Sequence, residues 1–248
     1  MNTENNIHIY EDAAVLSAAA AGFITKIIRQ AIDRQGRCSV ALSGGNTPQS
    51  VYALLATLPF RDEIDWTKTF FFWGDERCVP PDDSRNNAYH AKKILLSQVP
   101  VPAGNIFPVC CYDNPQYAAR SYETDIRHFF GETYPRFDLI LLGLGENGHT
   151  ASLFPGNEKA LTTEELVVNV YVPEQDMYRV SMTPSLINNA SNILFLVTGT
   201  GKSAILAQTL YGNASSEEIP ARAIHPVNGI LSWLIDQDAA SRLPKDLL

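Results

Sequence analysis

The chain has 248 residues, 45% of them hydrophobic and 19% charged, which is enough apolar material for a packed core and excludes disordered and low-complexity classes. Its 19 Lys and Arg residues face 27 Asp and Glu, a net charge of -8, and no basic cluster stands ready to neutralise a run of nucleic-acid phosphates. Nucleic acid is excluded as an expected partner, while a small anion stays admissible because a few cations inside a cleft outweigh a diffuse surface field at contact distance.

The N-terminal MNTENNIHIY lacks the positive start of a signal peptide, and the alanine-rich stretch from Ala13 to Ile24 is too short to span a bilayer, so a cytoplasmic protein with no membrane partner is expected. Helical spacing of apolar residues from Glu11 to about Gln35, with Gly36 as terminator, predicts a long amphipathic helix. CSVAL (38–42) reads as a buried strand, followed by SGGNTP and a helix whose start is expected at Thr47–Pro48. FFFW (70–73) is the next strand, ending at GDER, with helical SRNNAYHAKKILL beyond and another helix from Pro115 to about Phe130. FDLILLG (137–143) is apolar on both faces; LVVNVYV (166–172) and YRVSM (178–182) lie too close for a crossover helix and predict an antiparallel excursion near 166–182. NILFLVT (192–198) leads into helical GTGKSAILAQTL, and ILSWLID from Ile230 is the last strand. Buried strands alternating with helices imply an α/β fold: an open, doubly wound, mainly parallel sheet with helices on both faces. No linker or internal repeat divides residues 1–248, so one domain is expected. Four cysteines (Cys38, Cys78, Cys110, Cys111) form no CxxC pair and are expected reduced, with no metal site.

Ligands of such sheets bind beyond the carboxyl ends of the strands, where four polar loops fall. Ser43, Gly44 and Gly45 lie between a strand and a helix N-terminus, an arrangement that converges N–H groups on an anion; the competing reading is a tight turn. ALSGG also nearly matches a nucleophile elbow, which keeps a serine hydrolase using Ser43 in play. GDER brings Asp75 and Arg77 to a strand end, as a phosphate clamp with a carboxylate holding it or as an ion pair closing the loop. GLGENG fits the dinucleotide pattern, but Pro155 follows too soon for the helix that pattern opens; the segment remains as a loop bearing Asn147 and His149. GTGKS lacks the first glycine of a P-loop because Leu196 stands there, yet it sets Lys202 at a helix N-terminus. Arg179, in a short strand, needs an anion if it faces inward. Of the other histidines, His8 fits a strand end, His90 and His128 fit helices, and His225 is a spare site residue.

Together, SGGNTP, WGDERCVP with DDSRNNAY, FDLILLGLGENGHTASLFPG, RVSMTP, FLVTGTGKS and IPARAIHP resemble the 6-phosphogluconolactonases of the pentose phosphate pathway, in that family's order from about residue 37 to 235. The resemblance implies a fold shared with glucosamine-6-phosphate deaminases, ribose-5-phosphate isomerases and CoA transferases. It implies hydrolysis of 6-phosphoglucono-1,5-lactone without cofactor, metal or nucleotide, in a monomer or weak homo-oligomer. It also implies that His149 is the general base and that Arg77, Arg179, Lys202 and the Ser43–Gly45 backbone bind the phosphorylated lactone, with Asp75 and Asn147 as orienting groups. Many members of that family carry aspartate where this chain has Asn147, which orients by hydrogen bonding but cannot take a proton. The alternatives are a sugar-phosphate deaminase or isomerase on the same fold and a non-catalytic sugar-phosphate sensor.

Overall fold

In a computed structural model, which describes residues 6–111 and 114–244, the apolar strands and the helices between them form where their sequence periods place them. The larger sheet holds β1 (Asn6–Tyr10), β2 (Cys38–Leu42), β3 (Thr69–Trp73), β5 (Leu139–Leu142), β8 (Asn192–Val197) and β9 (Ile230–Asp236), in the order β1-β9-β8-β5-β2-β3. All its pairings are parallel. Every residue of β2 and β5 is buried, so both faces of the central strands are covered, as their unbroken apolar runs require. The helices are α1 (Ala13–Gln35), α2 (Asn46–Leu55), α3 (Phe60–Glu63), α4 (Asn87–Ala91), α5 (Pro115–Phe130), α6 (Glu158–Thr162), α7 (Pro184–Ile187), α8 (Ser203–Tyr211) and α9 (Gln237–Ala240).

Helix α1 is bounded as its sequence signals. Asp12 accepts from the N–H groups of Ala14 and Val15 at 2.8 and 2.9 Å, and Gly36 ends the helix at φ 80°. It is long and apolar enough to cross a membrane, but Leu16, Ala20, Ile24, Ile28 and Ala31 are buried in the protein core. Helix α2 begins at Asn46 rather than at Thr47–Pro48, because Gly45, at φ 108°, takes the cap position. The NIHIY segment is a complete edge strand, β1, not merely a strand end at His8.

The excursion near 166–182 is a separate three-stranded antiparallel sheet, ordered β4-β7-β6, of β4 (Asp75–Arg77), β6 (Val167–Val172) and β7 (Met177–Met182). GDER reads in the sequence as a polar loop, but its last three residues form β4. Gly74 is where the chain changes sheets: its N–H donates to Leu42 of β2 at 2.9 Å, while its carbonyl accepts from Met182 of β7 at 2.8 Å.

The expectation of four reduced cysteines is corrected: Cys78 and Cys111 form a disulfide with Cα atoms 4.6 Å apart, leaving Cys38 buried and Cys110 exposed as free thiols. Their meeting has a tertiary cause. Phe107 N–H donates to Phe71 at the free edge of β3, at 2.8 Å, and Cys78 N–H donates to Tyr178, at 2.9 Å, so the two segments are drawn past each other.

Between β2 and β5 the winding reverses: the chain leaves β2 toward β3 on one side, and leaves β5 toward β8 and then β9 on the other. Adjacent loops at such a point diverge and open a crevice.

Candidate active site

A cleft of about 770 Å³ occupies that crevice, and Ser43, Gly44, Gly45, Asp75, Arg77, Asn147, His149, Arg179 and Lys202 all line it. His225 does not; it is exposed, with its N–H donated to Asn188. His90 lies elsewhere too, its ring 2.6 Å from the Ser84 carbonyl.

The loop after β5 is tied into a tight turn that presents His149. Gly145 N–H donates to the His149 carbonyl at 2.8 Å, Gly148 N–H to Gly145 at 3.0 Å, and Thr150 Oγ1 to Gly143 at 2.9 Å. A side chain at Gly145 would collide with the His149 ring, so this glycine is what lets the imidazole fold back over the loop. Asn147 Oδ1 accepts from the His149 backbone N–H at 3.2 Å and lies 2.6 Å from Nδ1. An acceptor there places the ring proton on Nδ1 and leaves the Nε2 lone pair for chemistry. Phe154 stacks on the ring, with centroids 4.4 Å apart. Burial lowers the His149 pKa to about 4; Asp75 opposes this, while Arg179, Lys202 and Arg77 reinforce it. The imidazole is therefore neutral at physiological pH.

The second sheet contributes the cations. Arg77 and Arg179 are paired directly across β4 and β7, an arrangement of like charges that is unfavourable without an anion between or beside them. Arg179 is buried; its Nη2 donates to Gln175 at 2.5 Å and its Nη1 lies 3.7 Å from Asp75 Oδ2. Asp75, in turn, accepts from Ser152 Oγ at 2.6 Å. Arg77 Nη1 donates to the Arg85 carbonyl at 2.7 Å. The Nε atoms of both arginines, and Ser43 Oγ, are buried without a partner among the described residues, the condition expected of groups that complete their bonding with a ligand.

Two helix ends add partial positive charge. Asp and Asn side chains cap α1, α4, α5, α6 and α9; α2, α3, α7 and α8 have no side-chain cap, and of these α2 and α8 begin beside the cleft. Lys202 precedes α8, and its ammonium has no protein partner among the described residues. Glu146 and Glu174 also line the cleft, both exposed at the rim. The deep charge is thus positive, apart from Asp75.

Several contributors have no clear sequence signal. Glu76 is fully buried and accepts the N–H groups of Arg77, Asn87 and Ala88 at 2.7–2.8 Å; burial pushes its pKa up to about 7 against those bonds. Asn87 is held there and donates Nδ2 to Asp75 O at 3.0 Å, packing its amide against Gly44. Phe154 and Asn87 lie within segments that carry the family resemblance, but Gln175 sits in a hairpin turn with no motif.

The chain matches, over residues 11–233, the family described as glucosamine-6-phosphate isomerases/6-phosphogluconolactonase. It is 40% identical to a 6-phosphogluconolactonase of Synechocystis sp. over 92% of this chain and 94% of that one. With a 6-phosphogluconolactonase of a Nostoc species, identity is 36% over 97% and 99% of the two chains. The solved structure of the Trypanosoma brucei 6-phosphogluconolactonase superposes with a TM-score of 0.85 at 29% identity, covering 98% of this chain and 100% of that one.

Proposed function

Because the chain belongs to the glucosamine-6-phosphate isomerase/6-phosphogluconolactonase family, we propose that it hydrolyses 6-phospho-D-glucono-1,5-lactone to 6-phosphogluconate with His149 as general base and no metal. The observation that carries this reading is the convergence of a neutral imidazole with Arg77, Arg179, Lys202 and the uncapped start of α2 in one cleft.

In this mechanism the phosphate docks against the cations, the Ser43 hydroxyl and the Gly44 and Gly45 amides, and binding energy from that remote dianion holds the lactone carbonyl near His149. His149 Nε2 takes a proton from water as its oxygen adds to the carbonyl carbon. When the tetrahedral adduct collapses, the C1–ring oxygen bond breaks and the imidazolium returns the proton to the departing oxygen. Asn147 keeps Nδ1–H oriented throughout, and Asp75 supplies the negative charge nearest the developing imidazolium.

Arg77→Ala and Lys202→Ala are expected to raise KM for the phosphorylated lactone by about tenfold or more, with little effect on glucono-1,5-lactone itself, because each removes a charge-assisted bond to phosphate. Equal losses on both lactones in steady-state assays would contradict this division of labour. A chelator should leave the rate unchanged, and an assay for ammonia release or sugar isomerisation separates the deaminase and isomerase alternatives.

A further inference from the structure

Ser43 is the first residue past β2, and Gly74 N–H already occupies the carbonyl of Leu42 before it. Both backbone groups of Ser43 are taken by one phenol. Tyr52 Oη accepts the Ser43 N–H at 3.0 Å and donates to the Ser43 carbonyl at 2.8 Å. Tyr52 belongs to α2, the helix that the Ser43–Gly45 turn feeds, and it is 1% exposed. The turn is thereby tied back to its own helix across nine residues. From the other side the Asn87 amide packs on Gly44. Between these two clamps Ser43 Oγ is left buried and unpartnered at the cleft wall.

We propose that Tyr52 is a positioning residue for substrate phosphate: its hydroxyl fixes the Ser43–Gly45 turn in the conformation whose Gly44 and Gly45 N–H groups and Ser43 hydroxyl meet the anion. The phenol lies outside the cleft lining and acts only through Ser43. Burial holds its pKa far above the working range, so the donated proton is always present. A phenylalanine keeps the ring and its packing but leaves the N–H and C=O of Ser43 without partners, and the turn is then free to reorient. The proposal rests on the reading of this turn as a phosphate site.

The test is Tyr52→Phe, assayed with the phosphorylated and unphosphorylated lactones and with inorganic phosphate as competitive inhibitor. Expected are increases of about tenfold in KM for the phosphorylated lactone and in Ki for phosphate, the worth of one charge-assisted bond, with kcat/KM for glucono-1,5-lactone unchanged. Asn105→Ala serves as the structural comparison, since Asn105 Nδ2 bonds the carbonyls of Thr67 and Thr69, at 2.9 and 3.2 Å, around the opposite end of β3. It should lower Tm and leave all three constants alone. If Tyr52→Phe is too unstable in buffer, the assays are run in sucrose, which strengthens the folded state without supplying an anion. Constants within twofold of wild type, or equal losses on both lactones, overturn the proposal. Should the wild-type protein itself neither prefer the phosphorylated lactone nor be inhibited by phosphate, the phosphate reading fails first, and the role of Tyr52 with it.

Discussion

For a single residue, His149, the balance of burial and charge decides whether it can act as a base at all. Burial and three cations lower its pKa to about 4 from an ordinary 6.5, so the free enzyme holds a neutral ring but a weak proton acceptor. A phosphate dianion bound among Arg179, Lys202 and Arg77 cancels the contribution of those cations and raises the pKa in the complex. The acidic limb of kcat is therefore expected at higher pH than that of kcat/KM, which should fall only near pH 4. Coincident limbs in the two profiles would contradict this coupling. Asn147→Asp places a carboxylate against Nδ1–H, favours imidazolium, and should move the kcat/KM limb up by about one to two pH units. The same shift has a stability consequence. Below pH 6.5 the unfolded chain takes up a proton that folded His149 refuses until about pH 4, so its contribution disfavours the folded state progressively across that window as pH falls. His149 was legible in the sequence because it follows a strand end and three glycines, Gly143, Gly145 and Gly148. The partner atoms were not: that Asn147 meets Nδ1, or that Glu76 gathers three amides, depends on turns whose geometry no spacing rule specifies.

At the element scale, β2, β3, β5, α1 and α5 lie within two residues of where their apolar periods and caps predict them, since each is decided by local pattern and burial. The short strand β4 escaped prediction because three charged residues, Asp75, Glu76 and Arg77, carry no strand pattern; its pairing with β7 is set by the fold change at Gly74. The same holds for the Cys78–Cys111 bridge, which joins segments 33 residues apart beside Arg77. Replacing both cysteines with serine should lower stability by roughly 3 to 4 kcal/mol, the loop-closure worth of a bridge of that span. Denaturant unfolding measures this, and an unchanged midpoint and slope would contradict it. Thiol titration of the folded, unreduced protein should label Cys110 and spare buried Cys38.

At the scale of the whole molecule, a chain with net charge -8 is read as the enzyme of an anionic substrate. The two facts are compatible because the cations are not spread over the surface. Two come from one antiparallel strand pair, the third stands at the start of α8, and the topological reversal between β2 and β5 gathers them around His149. Overall charge could show which polyanions the protein avoids; only the folded arrangement shows where the sign reverses. In the proposed reaction this cleft opens a phosphorylated lactone with His149 as base. Its most direct test is the disappearance of 6-phospho-D-glucono-1,5-lactone at pH 6.5, after subtraction of the spontaneous rate, for the wild-type protein and for a folded His149→Ala variant. Rapid wild-type turnover is expected, with a kcat lower by about 10² to 10⁴ in the variant. Wild-type turnover no faster than the spontaneous reaction, or a variant as fast as wild type, would contradict it.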